Sequence, residues 1–335
     1  RIEELVAKEE FSGVVLLARD GEVLYEKAAG LANRDQGVAN TAATRFNVGS
    51  ITKAFTQVAL AQLAAAGKLS LDDKLIQSLP DYPDRAIAEQ VTLQQLLAHR
   101  SGLGDIFNER FTPEARAGLR TLADHLPLFT GKPLEFAPGA RQRYSNAGYV
   151  VLGLVVERLS GQSFADYVRD RIFVPAGMKD SAWLRRDALP AGAAVGYTRE
   201  GWQEEGRASA GGARHSNSGD LPAIGSSAGG SYSTARDLLA FDRALAARRL
   251  GGPERYAEQG GLGIAGGTGG ANATLESDWE SGWTIIVLAN FDPPAAESLT
   301  RELRALVARL APASAPSSAP SSAPQAERAR GSRAP

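Results

Sequence analysis

The sequence predicts an α/β fold of the α+β type, in which helices flank an antiparallel sheet built from both chain ends. Three observations predict it: strand patterns lie near both termini, helical spacing dominates the middle, and 43% of the 335 residues are hydrophobic, enough for a large core. We expect a discontinuous sheet domain of residues 1–75 and 229–311, and a mostly helical inserted domain of residues 76–228. Residues 312–335 repeat Ser, Ala and Pro, which cannot bury a core, so this tail is expected to be disordered.

The strands are predicted from β-rich runs separated by turn residues. Residues 11–31 form a first hairpin, because Asp20-Gly21 lies between two apolar runs and Asp-Gly is a strong turn signal. Near the other end, residues 271–276 and 283–290 flank a short polar connection. They predict a second hairpin.

The helices are predicted where apolar residues recur at three- and four-residue spacing. The first follows Ser50, carries Phe55 and Val58 on one face, and stops at Gly67, a residue type that often ends helices. The Gly-rich polar region 190–225 predicts long loops. Further helices are expected at residues 93–99, 119–129, 148–159, 234–245 and 297–310.

The composition excludes several functional classes. Basic and acidic residues number 37 and 38, a net charge of −1, whereas nucleic-acid and anionic-membrane partners require concentrated positive charge. There are no cysteines, and His99, His125 and His215 are too far apart for a local metal motif. No apolar run approaches the ~20 residues of a membrane span, and no signal peptide is recognised. No cofactor is expected, and the oligomeric state is left open.

A serine and a lysine three residues apart form the first candidate catalytic group. In Ser50-Ile51-Thr52-Lys53 the two side chains share one helix face if Ser50 begins the helix. A desolvated lysine amine then reaches the serine hydroxyl and can act as a base, while the helix dipole favours negative charge at Ser50. The alternative is a helix-capping serine with a solvated lysine.

The second candidate group is Tyr144-Ser145-Asn146, just before the predicted helix at residues 148–159. A tyrosine phenol beside a lysine ammonium can ionise and take a proton from serine. The amide of Asn146 would hold either the substrate or the lysine. The alternative is a plain turn before the helix, and that turn is expected in either case.

The third candidate is the glycine-rich run at residues 260–270. Glycines let a strand backbone approach a substrate carbonyl closely, so Gly266, Gly267 and Thr268 are predicted substrate-binding positions. The N–H group of Gly267 or Thr268 could complete an oxyanion hole with the N–H group of Ser50.

Together with their surroundings, these groups resemble the serine β-lactamase and penicillin-binding-protein superfamily, in particular its class C-like branch. That branch includes D,D-peptidases, D-aminopeptidases and β-lactamase-like esterases. The resemblance covers residues 11–310, with its pieces in the family's order: Phe11-Ser12-Gly13-Val14-Val15, Phe46-Asn47-Val48-Gly49-Ser50-Ile51-Thr52-Lys53-Ala54-Phe55, Leu96-Leu97-Ala98-His99-Arg100-Ser101-Gly102-Leu103, Tyr144-Ser145-Asn146, Ser226-Ser227-Ala228-Gly229-Gly230 and Val287-Leu288-Ala289-Asn290.

The resemblance carries several implications. It implies a β-lactamase/transpeptidase-like fold, a periplasmic or secreted location, and a small ester, amide or β-lactam-like molecule as the partner. It implies Ser50 as the acylated nucleophile, with Lys53 and Tyr144 as the pair that deprotonates it. Asn146 would be a polar positioning residue.

The third motif departs from the family pattern, which usually reads Lys/His-x-Gly, or Trp-x-Gly in some esterases. The candidates here are Ile264-Ala265-Gly266 and Ala265-Gly266-Gly267, and neither supplies a cation. A missing cation removes an anchor for a substrate carboxylate but leaves a backbone oxyanion hole intact. The predicted function is therefore an esterase or amidase that forms an acyl-enzyme with uncharged substrates. The alternatives are a β-lactamase or D,D-carboxypeptidase proper, and a catalytically weak binding or regulatory protein on the same scaffold.

Three other patterns are discounted. The segment 225–229 reads Gly-Ser-Ser-Ala-Gly, like the nucleophile elbow of α/β-hydrolases, but no histidine follows it to complete that triad. The run 261–266 matches a dinucleotide fingerprint, yet the residues after it read as a strand rather than a helix. His99 is expected to be structural, because it ends an apolar helix where a histidine can cap carbonyls.

Overall fold

The fold is given by a computed structural model that describes residues 1–199 and 212–310; the predicted tail at 312–335 lies outside them. Within these ranges the strands are β1 (Gly13–Arg19), β2 (Glu22–Ala29), β3 (Leu31–Asn33), β4 (Val38–Ala39), β5 (Phe46–Asn47), β6 (Tyr197–Arg199), β7 (Arg214–Ser216), β8 (Tyr232–Ser233), β9 (Gly263–Thr268), β10 (Ala271–Asp278) and β11 (Trp283–Ala289).

The α-helices of the same ranges are α1 (Ile2–Ala7), α2 (Thr52–Ala65), α3 (Leu75–Ser78), α4 (Arg85–Gln90), α5 (Leu93–Leu97), α6 (Pro113–Gly118), α7 (Leu126–Phe129), α8 (Asn146–Ser160), α9 (Phe164–Val168), α10 (Val174–Ala176), α11 (Ala235–Ala246), α12 (Glu254–Glu258) and α13 (Ala295–Leu310). A π-helical turn, Arg169–Phe173, joins α9 to α10.

An antiparallel sheet draws its strands from both ends of the chain. Its order is β2-β1-β11-β10-β9, so the N-terminal hairpin pairs with the C-terminal strands through β1 and β11. Strand β9 lies at the edge. The predicted fold class is therefore confirmed. The boundaries of the two predicted domains, at residues 75/76 and 228/229, stay a prediction.

Helices cover both faces of this sheet because its strands alternate between two apolar faces. Along β1, Val14 and Leu16 belong to the core that contains α2, whereas Val15 and Leu17 belong to a second core that contains α13. This two-residue alternation is what a strand buried on both sides requires.

The first hairpin turns at the predicted dipeptide. Asp20 and Gly21 both adopt positive φ angles, 53° and 83°. Two successive positive φ angles match the right-handed twist of paired strands, and Asp-Gly tolerates them with little strain. The turn prediction is confirmed.

Helix α2 runs through the centre of the protein, as its apolar residues predict. Phe55 makes edge-to-face contacts with Phe173 at 5.0 Å and with Phe241 at 4.9 Å between ring centroids. Such pairs contribute about 0.5–1.5 kcal/mol beyond the area that they bury. These contacts pack the first turn of α2 against the π-helical turn and against α11.

The region predicted as long loops contains more structure than expected. Strands β6 and β7 pair antiparallel there, and Tyr197 also bonds through its backbone N–H to the carbonyl of Asn290. The tertiary bond anchors a short strand that local composition does not reveal. Residues 200–211 of the same region lie outside the described part of the chain.

Candidate active site

Ser50 lies in a single 3₁₀ turn, Gly49–Ile51, that leads directly into α2. Gly49 has a φ angle of 52°, a conformation that glycine adopts most readily. The side chain of Ser50 does not cap the helix. It points to Lys53 and Tyr144 instead, so the capping alternative does not describe this serine.

The three predicted catalytic side chains meet at the N-terminus of α2. The Tyr144 hydroxyl lies 2.6 Å from the Ser50 hydroxyl, and the Lys53 ammonium lies 3.1 Å from the same oxygen. Both distances are within hydrogen-bonding range. The serine oxygen is therefore held between the phenol of Tyr144 and the ammonium of Lys53, and the phenol, once ionised, can receive its proton.

Lys53 is buried, with only 5% of its surface exposed, and its ammonium group is surrounded by oxygen atoms. Besides Ser50, it donates to the Asn146 side-chain oxygen at 2.7 Å and to the Ala228 carbonyl. Three acceptors stabilise the charged form of a buried amine. This ammonium lies 4.7 Å from the centre of the Tyr144 ring, where it favours a phenolate. The alternative of a solvated lysine therefore does not describe Lys53.

Asn146, the first residue of α8, connects Lys53 to an acidic residue that the sequence reasoning missed. The Asp105 carboxylate accepts the Asn146 backbone N–H at 2.7 Å and its side-chain N–H₂ at 3.2 Å. This leaves the amide oxygen for Lys53. In the sequence, the one sign of its role was its position, two residues after the segment 96–103 that contributes to the family resemblance.

His99 lies beside the site and does more than end a helix. Its ring stacks on Tyr144 with centroids 4.5 Å apart, and its Nδ1 accepts the Ser145 backbone N–H at 3.2 Å. Burial, and secondarily the charge of Lys53, lowers the pKa of His99 to about 4. A neutral ring packed flat on Tyr144 supports the phenol rather than acting as a base.

Strand β9 approaches the serine from the opposite side through its glycines. A Cβ atom on Gly266 would lie 2.1 Å from the Val48 carbonyl oxygen and 2.6 Å from the Ser50 nitrogen. Only glycine permits so close an approach. Gly266 is therefore the glycine of the third motif, which reads Ile264-Ala265-Gly266.

The register of β9 indicates which of its N–H groups faces the cleft. A two-residue connection makes Thr268 and Ala271 the closing pair of the β9–β10 hairpin. In antiparallel ladders, hydrogen-bonded and non-bonded pairs alternate, so the N–H of Gly267 turns away from β10. It points toward the open edge of the sheet, on the side where Ser50 lies.

These groups line one cleft of about 740 Å³ that contains Ser50, Tyr144, Asn146, Gly266, Gly267 and Thr268. Arg186 and Glu297, which the sequence reasoning missed, line it as well. The volume is typical of a site for a small molecule.

The segment 225–229, discounted as a nucleophile elbow, has a structural role beside Lys53. Ser227 is fully buried and donates to the Tyr149 carbonyl, while Ser226 accepts the backbone N–H of Ala228. The carbonyl of Ala228 then receives a hydrogen bond from Lys53. Its serines thus hold backbone in place.

Residues 1–199 and 212–310 contain neither a cluster of metal-ligating side chains nor a helix suited to a membrane. No group of three or more His, Cys, Asp or Glu side chains in those ranges could hold a metal ion. None of the helices there combines the length and the apolar character needed to cross a bilayer.

The fold and the site together define a class: β-lactamase-like proteins with a serine at the start of a buried helix, facing an edge strand. The chain belongs to the beta-lactamase family, whose sequence profile matches residues 1–309.

Three known proteins illustrate the relationship. Penicillin-binding protein 4* of Bacillus subtilis (strain 168) is 32% identical over 190 residues, covering 56% of this chain and 41% of that protein. Esterase EstB of Burkholderia gladioli is 37% identical over 193 residues, covering 53% and 49%. A penicillin-binding protein structure from Bacillus halodurans superimposes with a TM-score of 0.79 at 32% identity, covering 91% of this chain and 99% of that one. The chain spans about half the length of the curated relatives it matches.

Proposed function

We propose that this protein is a serine hydrolase that cleaves small ester or amide substrates through an acyl-enzyme on Ser50. One observation carries the proposal: the Ser50 oxygen lies 2.6 Å from the Tyr144 hydroxyl and 3.1 Å from the Lys53 ammonium. A nucleophile within hydrogen-bond reach of its base, with that base held by a third group, is the arrangement that covalent catalysis requires.

Acylation begins with a proton transfer. Ionised Tyr144, stabilised by the Lys53 ammonium, takes the Ser50 proton as the serine oxygen forms a bond to the substrate carbonyl carbon. The carbonyl electrons move onto its oxygen, which the N–H groups of Ser50 and Gly267 stabilise. The bond to the leaving group then breaks, and the leaving group departs with the proton from Tyr144.

Deacylation repeats the sequence with water. Tyr144 takes a proton from a water molecule whose oxygen attacks the acyl carbon. The bond from that carbon to Ser50 breaks, and the serine oxygen recovers the proton. Lys53 keeps its charge throughout, because Asn146 and Ala228 hold it by hydrogen bonds.

The esterase or amidase activity is favoured over a β-lactamase or D,D-carboxypeptidase by the third motif. Ile264 occupies the position where the family usually carries a cation, and it packs against the apolar core. An alkyl side chain there offers no ionic anchor for the carboxylate that penicillins present. A periplasmic or secreted location stays a prediction from the family resemblance.

The test is covalent labelling with a fluorophosphonate probe, followed by mapping of the modified peptide. We expect the label on Ser50, its loss in Ser50→Ala, and its retention in Ser227→Ala, the serine at the nucleophile position of the discounted elbow. Hydrolysis of p-nitrophenyl butyrate should follow the same pattern. Unchanged ester turnover in Ser50→Ala would remove this serine from the mechanism.

Two further outcomes separate the alternatives. Turnover of nitrocefin well above that of simple esters would identify a β-lactamase proper. Absence of both labelling and turnover in the folded protein would favour the binding protein.

A further inference from the structure

Arg186 is an arginine in the wall of the catalytic cleft. It lines the same cavity as Ser50 and Tyr144. Its Nη1 atom is buried and has no hydrogen-bond partner. A buried guanidinium nitrogen without an acceptor loses its hydrogen bonds to water and forms none in the protein. This desolvation costs free energy unless a ligand supplies the acceptor.

A second arginine reinforces this charge. Arg116 lines a side pocket of about 320 Å³ that shares Leu221 and Thr268 with the cleft, and its Nε atom is also buried without a partner. The backbone of Ala223 links the two: it accepts the Arg186 N–H at 3.0 Å and donates to the Arg116 carbonyl at 3.1 Å. The fold therefore holds the two arginines on neighbouring backbone segments, close enough for the charge of one to act on the other.

Nearby carboxylates do not neutralise the pair. Within residues 1–199 and 212–310, no acidic side chain lies within 4.0 Å of either guanidinium. Asp187 pairs with Arg185 at 2.9 Å, and Asp220 faces His215 at 3.7 Å. Burial, and then the neighbouring charge of Arg116, lowers the pKa of Arg186.

Within the part of the chain that the structure describes, the side of the cleft formed by β9 carries no positive charge to match that of Arg186. Ala265 and Glu297 line it there, and Ile264 stands in place of the usual cation. A substrate anion would meet a carboxylate and apolar groups on that side. A further arginine of the cleft wall, Arg143, is paired with Glu135, whereas Arg186 has no carboxylate within 4.0 Å among the described residues, so the cleft favours an anion at Arg186.

We propose that Arg186, reinforced by Arg116, forms a subsite for a carboxylate on the substrate, so that the preferred substrates are esters or amides carrying a carboxylate remote from the scissile bond. The planar guanidinium matches a carboxylate with two parallel hydrogen bonds. This inference rests on the proposed function and replaces the expected preference for uncharged substrates.

The experiment compares matched substrates. Mono-p-nitrophenyl esters of succinate, glutarate and adipate are paired with the butyrate, pentanoate and hexanoate esters, which lack the carboxylate. A second arm places the carboxylate on the leaving group, as the butyrate ester of 3-hydroxybenzoate against phenyl butyrate. Rates with Ser50→Ala are subtracted, because carboxylate half-esters hydrolyse by themselves.

We expect one arm to show a kcat/KM about 10-fold or more above its uncharged partner, as a charge-assisted bidentate contact allows. Arg186→Gln should remove that advantage, mainly through KM, and Arg116→Gln should reduce it. Turnover of the uncharged ester, which also reports folding, should fall less than turnover of the carboxylate ester in both variants. The matched control is Arg185→Gln, the neighbouring arginine that is exposed and paired with Asp187; it should keep the full preference.

The outcomes separate the inference from the proposed function. Hydrolysis of uncharged esters with no carboxylate preference in either arm, or equal losses for both substrates in Arg186→Gln, would overturn the subsite alone. If no ester is hydrolysed, the proposed hydrolase function is refuted, and a binding measurement then tests the carboxylate subsite. Calorimetry with glutaramate on Ser50→Ala should show binding that Arg186→Gln abolishes, and no binding would overturn the subsite.

Discussion

The Asp105 carboxylate lies 3.2 Å from the side-chain nitrogen of Asn146 and fixes which end of that amide faces Lys53. The carboxylate accepts only, so it selects the N–H₂ end of the amide. The oxygen end is then left for the Lys53 ammonium, at 2.7 Å. Asp105 thus acts on the catalytic lysine through Asn146, as a positioning residue.

Replacing Asp105 should therefore impair turnover more than binding. In Asp105→Ala the Asn146 amide can rotate and turn its N–H₂ group toward Lys53. We expect kcat to fall by about 10-fold, with KM changed by less, because the supporting hydrogen bond orients a catalytic group. Asp105→Asn, which keeps an acceptor oxygen, should recover part of the rate. Equal kcat values in wild type and Asp105→Ala would exclude the positioning role.

Tyr144 and Tyr149 offer a matched pair for testing the base. Both rings lie near the Lys53 ammonium, at 4.7 and 5.4 Å, but the Tyr149 hydroxyl bonds to Gln57 and the Leu97 carbonyl. Tyr144→Phe should lower kcat by about 10²–10⁴, the usual contribution of a general base. Tyr149→Phe should keep kcat within about 10-fold and lose stability instead, because Gln57 loses a partner. Similar kcat losses in both variants would count against Tyr144 as the base.

Strand β9 offers a second matched pair, Gly266 and Gly263. The Cβ of Gly266→Ala would collide with the Val48 carbonyl and the Ser50 nitrogen, whereas a Cβ on Gly263 meets nothing within 4 Å. Gly266→Ala should push β9 away from the serine. We expect about 1–3 kcal/mol of destabilisation and a rate loss of about 10²–10³, the usual result of displacing one oxyanion donor. Urea unfolding and ester kinetics measure the two effects.

Gly263→Ala should change neither quantity appreciably. If Gly266→Ala matched it in rate and in stability, the close approach of β9 to Ser50 would be dispensable, and the oxyanion hole would need another donor.

Local patterns were enough to predict the parts of the site that are close in the sequence. Ser50 and Lys53 share a helix face because three residues make almost one turn. Tyr144 is 94 residues from Ser50, and periodicity carries no information about that distance. Its place beside the serine was expected from the family resemblance, which supplied the long-range pairing.

The remaining site residues depend on tertiary packing. Two frames of the third motif stayed open because consecutive glycines look alike in sequence, and only the contact of Gly266 with Ser50 separates them. Arg186 lies in a segment without periodicity, so nothing local shows that it faces the cleft. His99 was expected as a helix cap, whereas its stacking on Tyr144 joins two residues distant in sequence.

His99 should make the stability of the protein depend on pH in a defined window. Its pKa is lowered from 6.5 to about 4, first by burial and then by the charge of Lys53. Below pH 6.5 the unfolded chain binds a proton at His99, whereas the folded protein stays neutral there until about pH 4. The unfolded state therefore binds more protons in this window, and stability falls as the pH decreases from about 6.5 to about 4.

The test is the melting temperature of wild type and His99→Asn between pH 4 and pH 7.5. Asparagine suits the positive φ angle of 56° at this position and does not titrate. Other groups, including His125, whose pKa burial also lowers, titrate in both proteins and cancel in the difference. The variant should lose less stability than wild type on acidification. Parallel curves across the window would mean that His99 accepts a proton in the folded protein as readily as in the unfolded chain, and that its ring is not held neutral against Tyr144.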